Sequence, residues 1–119
     1  MVDVKRNIYH KALNLLKNFP AVAIIGPRQS GKTYLSKKLR PKWKYIDLEA
    51  PQSYENISSD PKFFLDKNPS NIILDEAQTY LKIINTLRGV INEKRKENNR
   101  FIITGSSSPE ILQVPVGFI

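Results

Sequence analysis

The pattern of apolar and polar positions along the chain predicts helices that alternate with strands. Apolar residues at three- and four-residue steps predict a first helix over residues 4–18, with Asp3 as its N-cap and Pro20 beyond its end. The unbroken apolar run at residues 21–25 is typical of a strand that is buried on both faces, as in a parallel sheet, and residues 71–75 are predicted to form another strand.

The same patterns predict strands over residues 44–48 and 101–104 and helices over residues 31–39 and 79–97. The core-facing side of the last helix would carry Leu81, Ile84, Ile91 and either Leu87 or the stem of Arg88. Strands that alternate with helices favour an α/β fold in which helices cover both faces of a parallel sheet. Since no repeat or linker interrupts the pattern, we expect a single domain.

Composition narrows the class of protein. Hydrophobic residues make up 40% of the 119 residues, which is typical of a globular domain. The chain has no cysteine and one histidine, His10, which excludes disulfides and thiolate metal sites and disfavours a Ser-His-Asp triad. The longest apolar runs are far shorter than the roughly 18 residues of a membrane span, and the first twenty residues lack a signal core. We therefore expect a cytoplasmic protein with no membrane partner.

The net charge of +8 is unevenly distributed along the sequence. Between Val4 and Ile46 there are eleven basic residues and no acidic residue, so this third of the chain attracts phosphate groups. Part of it mixes aromatic with basic side chains, as proteins that bind single-stranded nucleic acids do. These residues are Lys37, Lys38, Arg40, Lys42, Trp43, Lys44 and Tyr45. The alternatives are a solvated surface without a ligand and, for Tyr45, a packing role in a strand.

The first predicted strand is followed by eight residues that match the pattern G-x-x-x-x-G-K-[ST] of phosphate-binding loops. They are Gly26, Pro27, Arg28, Gln29, Ser30, Gly31, Lys32 and Thr33. Glycines allow consecutive N–H groups to point at phosphate oxygens, and the start of the next helix adds further unpaired N–H groups. We expect Lys32 to reach the β- and γ-phosphates of a nucleotide and the Thr33 hydroxyl to bind Mg²⁺. The structural alternative is a glycine turn beside a surface lysine.

Two carboxylates follow the buried apolar run that begins at Ile72. Asp75 ends the predicted strand and Glu76 comes next. Carboxylates at the end of a buried strand are costly unless they have partners. Asp75 would hold Mg²⁺, directly or through water, and Glu76 would orient and deprotonate a water aimed at the γ-phosphate. The alternative is that these acids cap the following helix.

Hydroxyl side chains follow the last predicted strand. Thr104 and Ser106 lie at the same edge of the sheet, where a hydroxyl could donate a hydrogen bond between the γ-phosphate and the attacking water. The alternative is an ordinary turn rich in glycine and serine.

Taken together, GPRQSGKT, NIILDEAQ and FIITGSSS resemble the motifs of P-loop ATPases of the AAA+ superfamily. More narrowly, they are similar to prokaryotic AAA-type ATPases with GPRQ-GKT, LDE-Q and TGSSS motifs, up to about Ser108. The Walker A contacts that the resemblance implies are Gly26, Gly31, Lys32 and Thr33, with Ser30 donating its backbone N–H. The implied Walker B and sensor residues are Asp75, Glu76, Thr104 and Ser106. Gln78 also matches a family position, without an assigned role.

The resemblance further implies a three-layer P-loop NTPase sandwich with the sheet order 5-1-4-3-2, which would bring the motifs to one edge. We expect strand 5 to be missing, because Pro115 and Gly117 interrupt the apolar residues there. The resemblance places the arginine finger downstream, and no Lys or Arg follows Arg100. Residues 1–119 are therefore expected to be a partial AAA+-like domain. Its exposed strand 1 would favour self-association.

The leading hypothesis is a Mg-ATP-binding module of an AAA+-like ATPase, with ATP and Mg²⁺ as cofactors and hydrolysis in the complete protein. The pair Asp75-Glu76 disfavours a small-molecule kinase, and the lack of an Asn-Lys-x-Asp stretch disfavours a GTPase. The alternatives are a nucleotide-binding remnant without turnover and an accessory basic module that binds nucleic acid. A homo-oligomer is compatible with each of these hypotheses.

Overall fold

In the computed structural model, residues 2–27, 30–112 and 117–118 are described. The helices are α1 (Val2–Asn18), α2 (Lys32–Leu39), α3 (Pro51–Ser58), α4 (Pro61–Lys67), α5 (Leu81–Glu93) and α6 (Pro109–Leu112). The strands are β1 (Ala21–Ile25), β2 (Lys44–Asp47), β3 (Ile72–Asp75), β4 (Phe101–Gly105) and β5 (Gly117–Phe118). A short 3₁₀ turn, Ala77–Thr79, separates β3 from α5.

The five strands form one sheet in the order β2-β3-β4-β1-β5, and every neighbouring pair is parallel. The predicted α/β class and the predicted order 5-1-4-3-2 are confirmed. The register pairs Asp47 with Asp75 and Leu74 with Ile103, so the carboxyl ends of β2, β3 and β4 lie side by side. This edge of the sheet receives the side chains that follow each strand.

The expectation that strand 5 is missing is wrong. Gly117 and Phe118 pair with Val22 and Ala23 of β1 on the side away from β4. The glycine does not interrupt this strand; it permits it, because a Cβ at position 117 would lie 3.0 Å from the Leu15 Cδ2 of α1. β1 is therefore paired on both sides at Val22 and Ala23, although an exposed strand 1 was expected.

Helices cover both faces of the sheet, as expected for a three-layer sandwich. On one face, α1 and α2 pack with alternate strand residues; this cluster contains Ala12, Leu16, Leu39, Val22, Ile24, Ile73 and Ile102. The opposite face is covered by α3, α4, α5 and α6. Their buried side chains include Ile57, Leu65, Ile83, Ile84, Leu87, Ile91 and Ile111. Both faces of β1, β3 and β4 are buried, which explains their largely apolar sequences, whereas β2 is partly exposed.

Two helices differ in detail from the predicted ones. α1 begins at Val2, so Asp3 lies inside the helix and is not its N-cap. α5 ends at Glu93, four residues earlier than predicted, and Leu81 is 42% exposed because it occupies the first turn, after the buried Tyr80. No helix among the described residues is long and apolar enough to cross a membrane.

Candidate active site

The segment between β1 and α2 contains the predicted phosphate-binding motif, and its described residues bend tightly. Gly31 has a φ of +89°, a left-handed conformation that residues with a side chain rarely adopt. At Gly26 a Cβ would lie 3.0 Å from the Ser30 Oγ, so the loop is tightly closed there. Gly31 caps α2 without any side-chain hydrogen bond, so the first turn of the helix keeps N–H groups for a ligand. The predicted contacts Arg28 and Gln29 lie outside the described residues.

The ammonium of Lys32 lies inside this loop. Its Nζ donates to the carbonyl oxygens of Gly26 at 2.6 Å and Pro27 at 3.2 Å. It also forms an ion pair with Glu76, with 3.0 Å between Nζ and Oε1. Lys32 is only 5% exposed, so it is not the surface lysine of the alternative interpretation. The carbonyl oxygens and the carboxylate hold the cation where an anionic ligand could replace them.

Asp75, at the end of β3, faces the start of α2. The Thr33 hydroxyl donates to Asp75 Oδ2 at 2.9 Å, and the Thr104 hydroxyl donates to Oδ1. A third hydroxyl, that of Tyr45 in β2, also donates to Oδ2. Asp75 is 4% exposed, so its carboxylate accepts these hydrogen bonds in a largely dry environment. The oxygens of Thr33 and Asp75 form the hard ligand set that Mg²⁺ prefers.

Glu76 adopts an unusual backbone conformation. Its φ of 59° and ψ of 50° are left-handed, which costs a residue with a side chain about 1–3 kcal/mol. Its backbone N–H donates to the Thr104 hydroxyl oxygen at 3.0 Å, and this bond holds the turn in place. The carboxylate makes no capping bond to the following 3₁₀ turn. The structure therefore contradicts the alternative that the Glu76 side chain caps the following helix.

Gln78 connects Glu76 to the segment that follows β4. Its Nε2 donates to Glu76 Oε2 at 2.7 Å, and its Oε1 accepts from the Ser106 backbone N–H at 3.2 Å. Gly105 makes this contact possible, because a Cβ there would lie 2.5 Å from the Gln78 Oε1. Ser106 thus joins the site through its backbone N–H, whereas its hydroxyl was the expected group.

Tyr45 and Gln78 were not given site roles from the sequence. The signal for Tyr45 was its alternation within β2, which was interpreted as packing or nucleic-acid contact. Its ring does pack on the α1 and α2 face, beneath the Lys37 ammonium at 4.1 Å from the ring centroid. Burial, together with the hydrogen bond to Asp75, raises the pKa of the Tyr45 hydroxyl far above its usual value. The hydroxyl therefore stays protonated and acts as a donor to Asp75.

Two cations of the predicted basic and aromatic cluster lie over aromatic rings. Arg40 lies over the Trp43 ring at 5.5 Å, and Lys44 lies over the Phe64 ring at 5.8 Å. Trp43 and Tyr45 are half-buried against the α1 and α2 cluster. Lys37, Lys38 and Lys42 remain exposed, so a basic surface persists around the end of α2.

Comparison with known proteins agrees with this geometry. A family model described as an AAA domain matches residues 18–115, which include all three motifs. An uncharacterized protein of Mycobacterium bovis and one of Mycobacterium tuberculosis are each 32% identical in an alignment of 115 residues that covers 94% of this chain. The chain spans about a quarter of the length of these curated relatives, at 25% of each.

Proposed function

The chain belongs to the AAA domain family, and from this premise we propose that it binds Mg-ATP between the 26–33 loop and the end of β3 and that the complete protein hydrolyses ATP there. The observation that carries the proposal is the pairing of the loop with both carboxylates. Lys32 lies 3.0 Å from Glu76, and the Thr33 hydroxyl lies 2.9 Å from Asp75. A lysine, a hydroxyl and two acids at one sheet edge are the groups that phosphoryl transfer requires.

The residues divide into a binding group and a reacting group. The N–H groups of the loop and of the α2 start would bind the phosphate oxygens, and Lys32 would move from Glu76 to the phosphates. Thr33 and Asp75 would hold Mg²⁺ directly or through water; the bound metal would neutralise charge on the phosphate oxygens. Because the side chains of this site are buried, they would leave little room for water beside the phosphates, which strengthens each hydrogen bond to the phosphate oxygens.

Glu76 would act as the general base. In this reaction its carboxylate takes a proton from a water molecule whose oxygen attacks the γ-phosphorus, and the bond to the bridging oxygen of ADP breaks. Both carboxylate oxygens have partners within the protein: Lys32 on Oε1 and Gln78 on Oε2. Transfer of Lys32 to the phosphates would free Oε1, so the base would become available when ATP is bound. Thr104 would hold Asp75 and the Glu76 backbone in position through its hydroxyl.

The test is calorimetric titration of Mg-ATP into the chain and its Lys32→Ala variant. A charge-assisted contact contributes about 1.5–3 kcal/mol, so we expect the variant to bind roughly 10- to 150-fold more weakly. Lys38→Ala is the matched control, since Lys38 lies on the same helix but its ammonium is over the Tyr9 ring. Equal affinity of the chain and Lys32→Ala would contradict the proposed site. Thermal unfolding of each variant checks that it is folded.

Phosphate release by the complete protein decides between hydrolysis and the binding-only alternative. Release that disappears in Lys32→Ala would support the ATPase, whereas tight Mg-ATP binding without release would support a nucleotide-binding domain without turnover. Nucleic acid is not favoured as a second function, because the Tyr45 hydroxyl is bound to Asp75 and the Trp43 ring packs beneath Arg40.

A further inference from the structure

Three hydroxyl groups from three different elements hold the Asp75 carboxylate. Thr33 of α2 and Tyr45 of β2 donate to Oδ2, and Thr104 of β4 donates to Oδ1. The ion pairs among the described residues do not include Asp75. Within this part of the chain the buried charge is therefore balanced by hydroxyl dipoles. Two of the donors already have places in the proposed function, and Tyr45 does not.

The register of the sheet brings Tyr45 to Asp75. Tyr45 pairs with Ile73, so both side chains point to the α1 and α2 face, and Asp75 is the next residue of β3 on that face. Such diagonal neighbours are within reach of a long aromatic side chain. The Lys37 ammonium lies over the ring, 4.1 Å from its centroid. The ring thus lies beneath the Lys37 ammonium, and its hydroxyl ends at the carboxylate.

We propose that Tyr45 is a positioning residue, which fixes the orientation of Asp75 so that the carboxylate is ready for the metal of Mg-ATP. This inference rests on the proposed function. An ionised carboxylate offers about four lone-pair positions, and the three hydroxyl groups occupy three of them. Thr33 and Tyr45 both donate to Oδ2, so the remaining position is on Oδ1, the oxygen that also accepts from Thr104. Without the tyrosine hydroxyl, Oδ2 keeps only the Thr33 donor and the carboxylate can rotate.

The experiment measures the metal dependence of ATP binding in the chain and in Tyr45→Phe. Phenylalanine keeps the ring beneath Lys37 and removes only the hydroxyl. ATP is titrated at a series of Mg²⁺ concentrations and in EDTA. Outer-shell partners of metal ligands typically change metal affinity by 10- to 100-fold. We expect the Mg²⁺ concentration for half-maximal enhancement of ATP binding to rise about tenfold, with an unchanged affinity in EDTA.

Tyr80→Phe is the matched control, because the Tyr80 ring is buried and its hydroxyl lies 3.4 Å from the Ser58 carbonyl oxygen, away from Asp75. We expect this variant to keep the Mg²⁺ dependence of the unmodified chain. An unchanged or lower Mg²⁺ requirement in Tyr45→Phe would overturn the positioning role, as would an equal loss of affinity in EDTA. If the unmodified chain itself binds no ATP, the proposed function fails and this inference fails with it.

Discussion

The ion pair between Lys32 and Glu76 predicts that loss of the acid tightens ATP binding. In Glu76→Gln the amide keeps the size of the side chain but removes the negative charge. Lys32 then loses its anionic partner while it stays bound to the Gly26 and Pro27 carbonyl oxygens. The nucleotide-free state becomes less stable, whereas in the ATP-bound state the phosphates replace the lost carboxylate.

The structure sets the size of the effect. At 3.0 Å between Nζ and Oε1, the Coulomb attraction is about 5–6 kcal/mol at an effective dielectric constant of about 20. Desolvation of the buried pair offsets most of this energy. Hydrogen bonds to charged groups contribute about 1.5–3 kcal/mol net, and the glutamine amide retains part of that contact. We therefore expect Glu76→Gln to bind Mg-ATP more tightly by about 1–2 kcal/mol, which is a 5- to 30-fold lower Kd.

Isothermal titration of Mg-ATP into both proteins measures this difference. Glu93→Gln is the control, because Glu93 pairs with Lys62 at 3.4 Å on the exposed surface of α5 and should leave the Kd unchanged. The effect of Glu76→Gln should shrink when Lys32 is also replaced by methionine, since the Glu76 carboxylate and the phosphates then no longer compete for the Lys32 ammonium. An equal or higher Kd in Glu76→Gln alone would refute the argument that the ion pair opposes nucleotide binding.

Two further predictions concern stability and are measured by urea unfolding. Gly117→Val should lower the free energy of unfolding by about 1–3 kcal/mol, because its side chain would press against Leu15 and separate β5 from β1. The control Gly89→Ala, with open space around the added Cβ, should not lower it. A Gly117→Val variant as stable as the unmodified chain would contradict this packing argument. Leu87→Ala should lower the free energy of unfolding by about 2–5 kcal/mol, since Leu87 is fully buried against the sheet. Leu81→Ala should lower it much less, because Leu81 is exposed. Similar losses of stability in both variants would show that the buried face of α5 is misassigned.

Local sequence was sufficient to predict β1 to β4 and the bend between β1 and α2. Continuous apolar runs marked the buried strands, and the spacing of glycine, lysine and threonine marked the 26–33 loop. These features depend on neighbours along the chain, so a pattern can reveal them. The strand order followed from the resemblance to AAA+ ATPases, because no local pattern contains it.

The remaining features depend on residues that are distant in sequence. In the sequence, Gly117 is typical of a residue that interrupts a strand. In the fold, Leu15 of α1 lies so close that a residue without a side chain fits there. Tyr45 reaches Asp75 because β2 and β3 pair in a particular register. Gln78 gains its partner at Ser106 from the end of β4. Each contact joins separate elements, so alternation within one element could not indicate it.

The close approach between Gly105 and Gln78 also has a consequence for how this sequence can change over evolutionary time. Any side chain at position 105 would collide with the glutamine amide, since the added carbon would lie 2.5 Å from its oxygen. The same carbon would lie 2.8 Å from the Ile111 Cδ1. Both clashing atoms are the ends of flexible side chains, so a substitution at position 105 requires the side chains at positions 78 and 111 to move away or to be smaller. Change at position 105 over evolutionary time is therefore expected to depend on positions 78 and 111 together, although the three positions belong to separate elements.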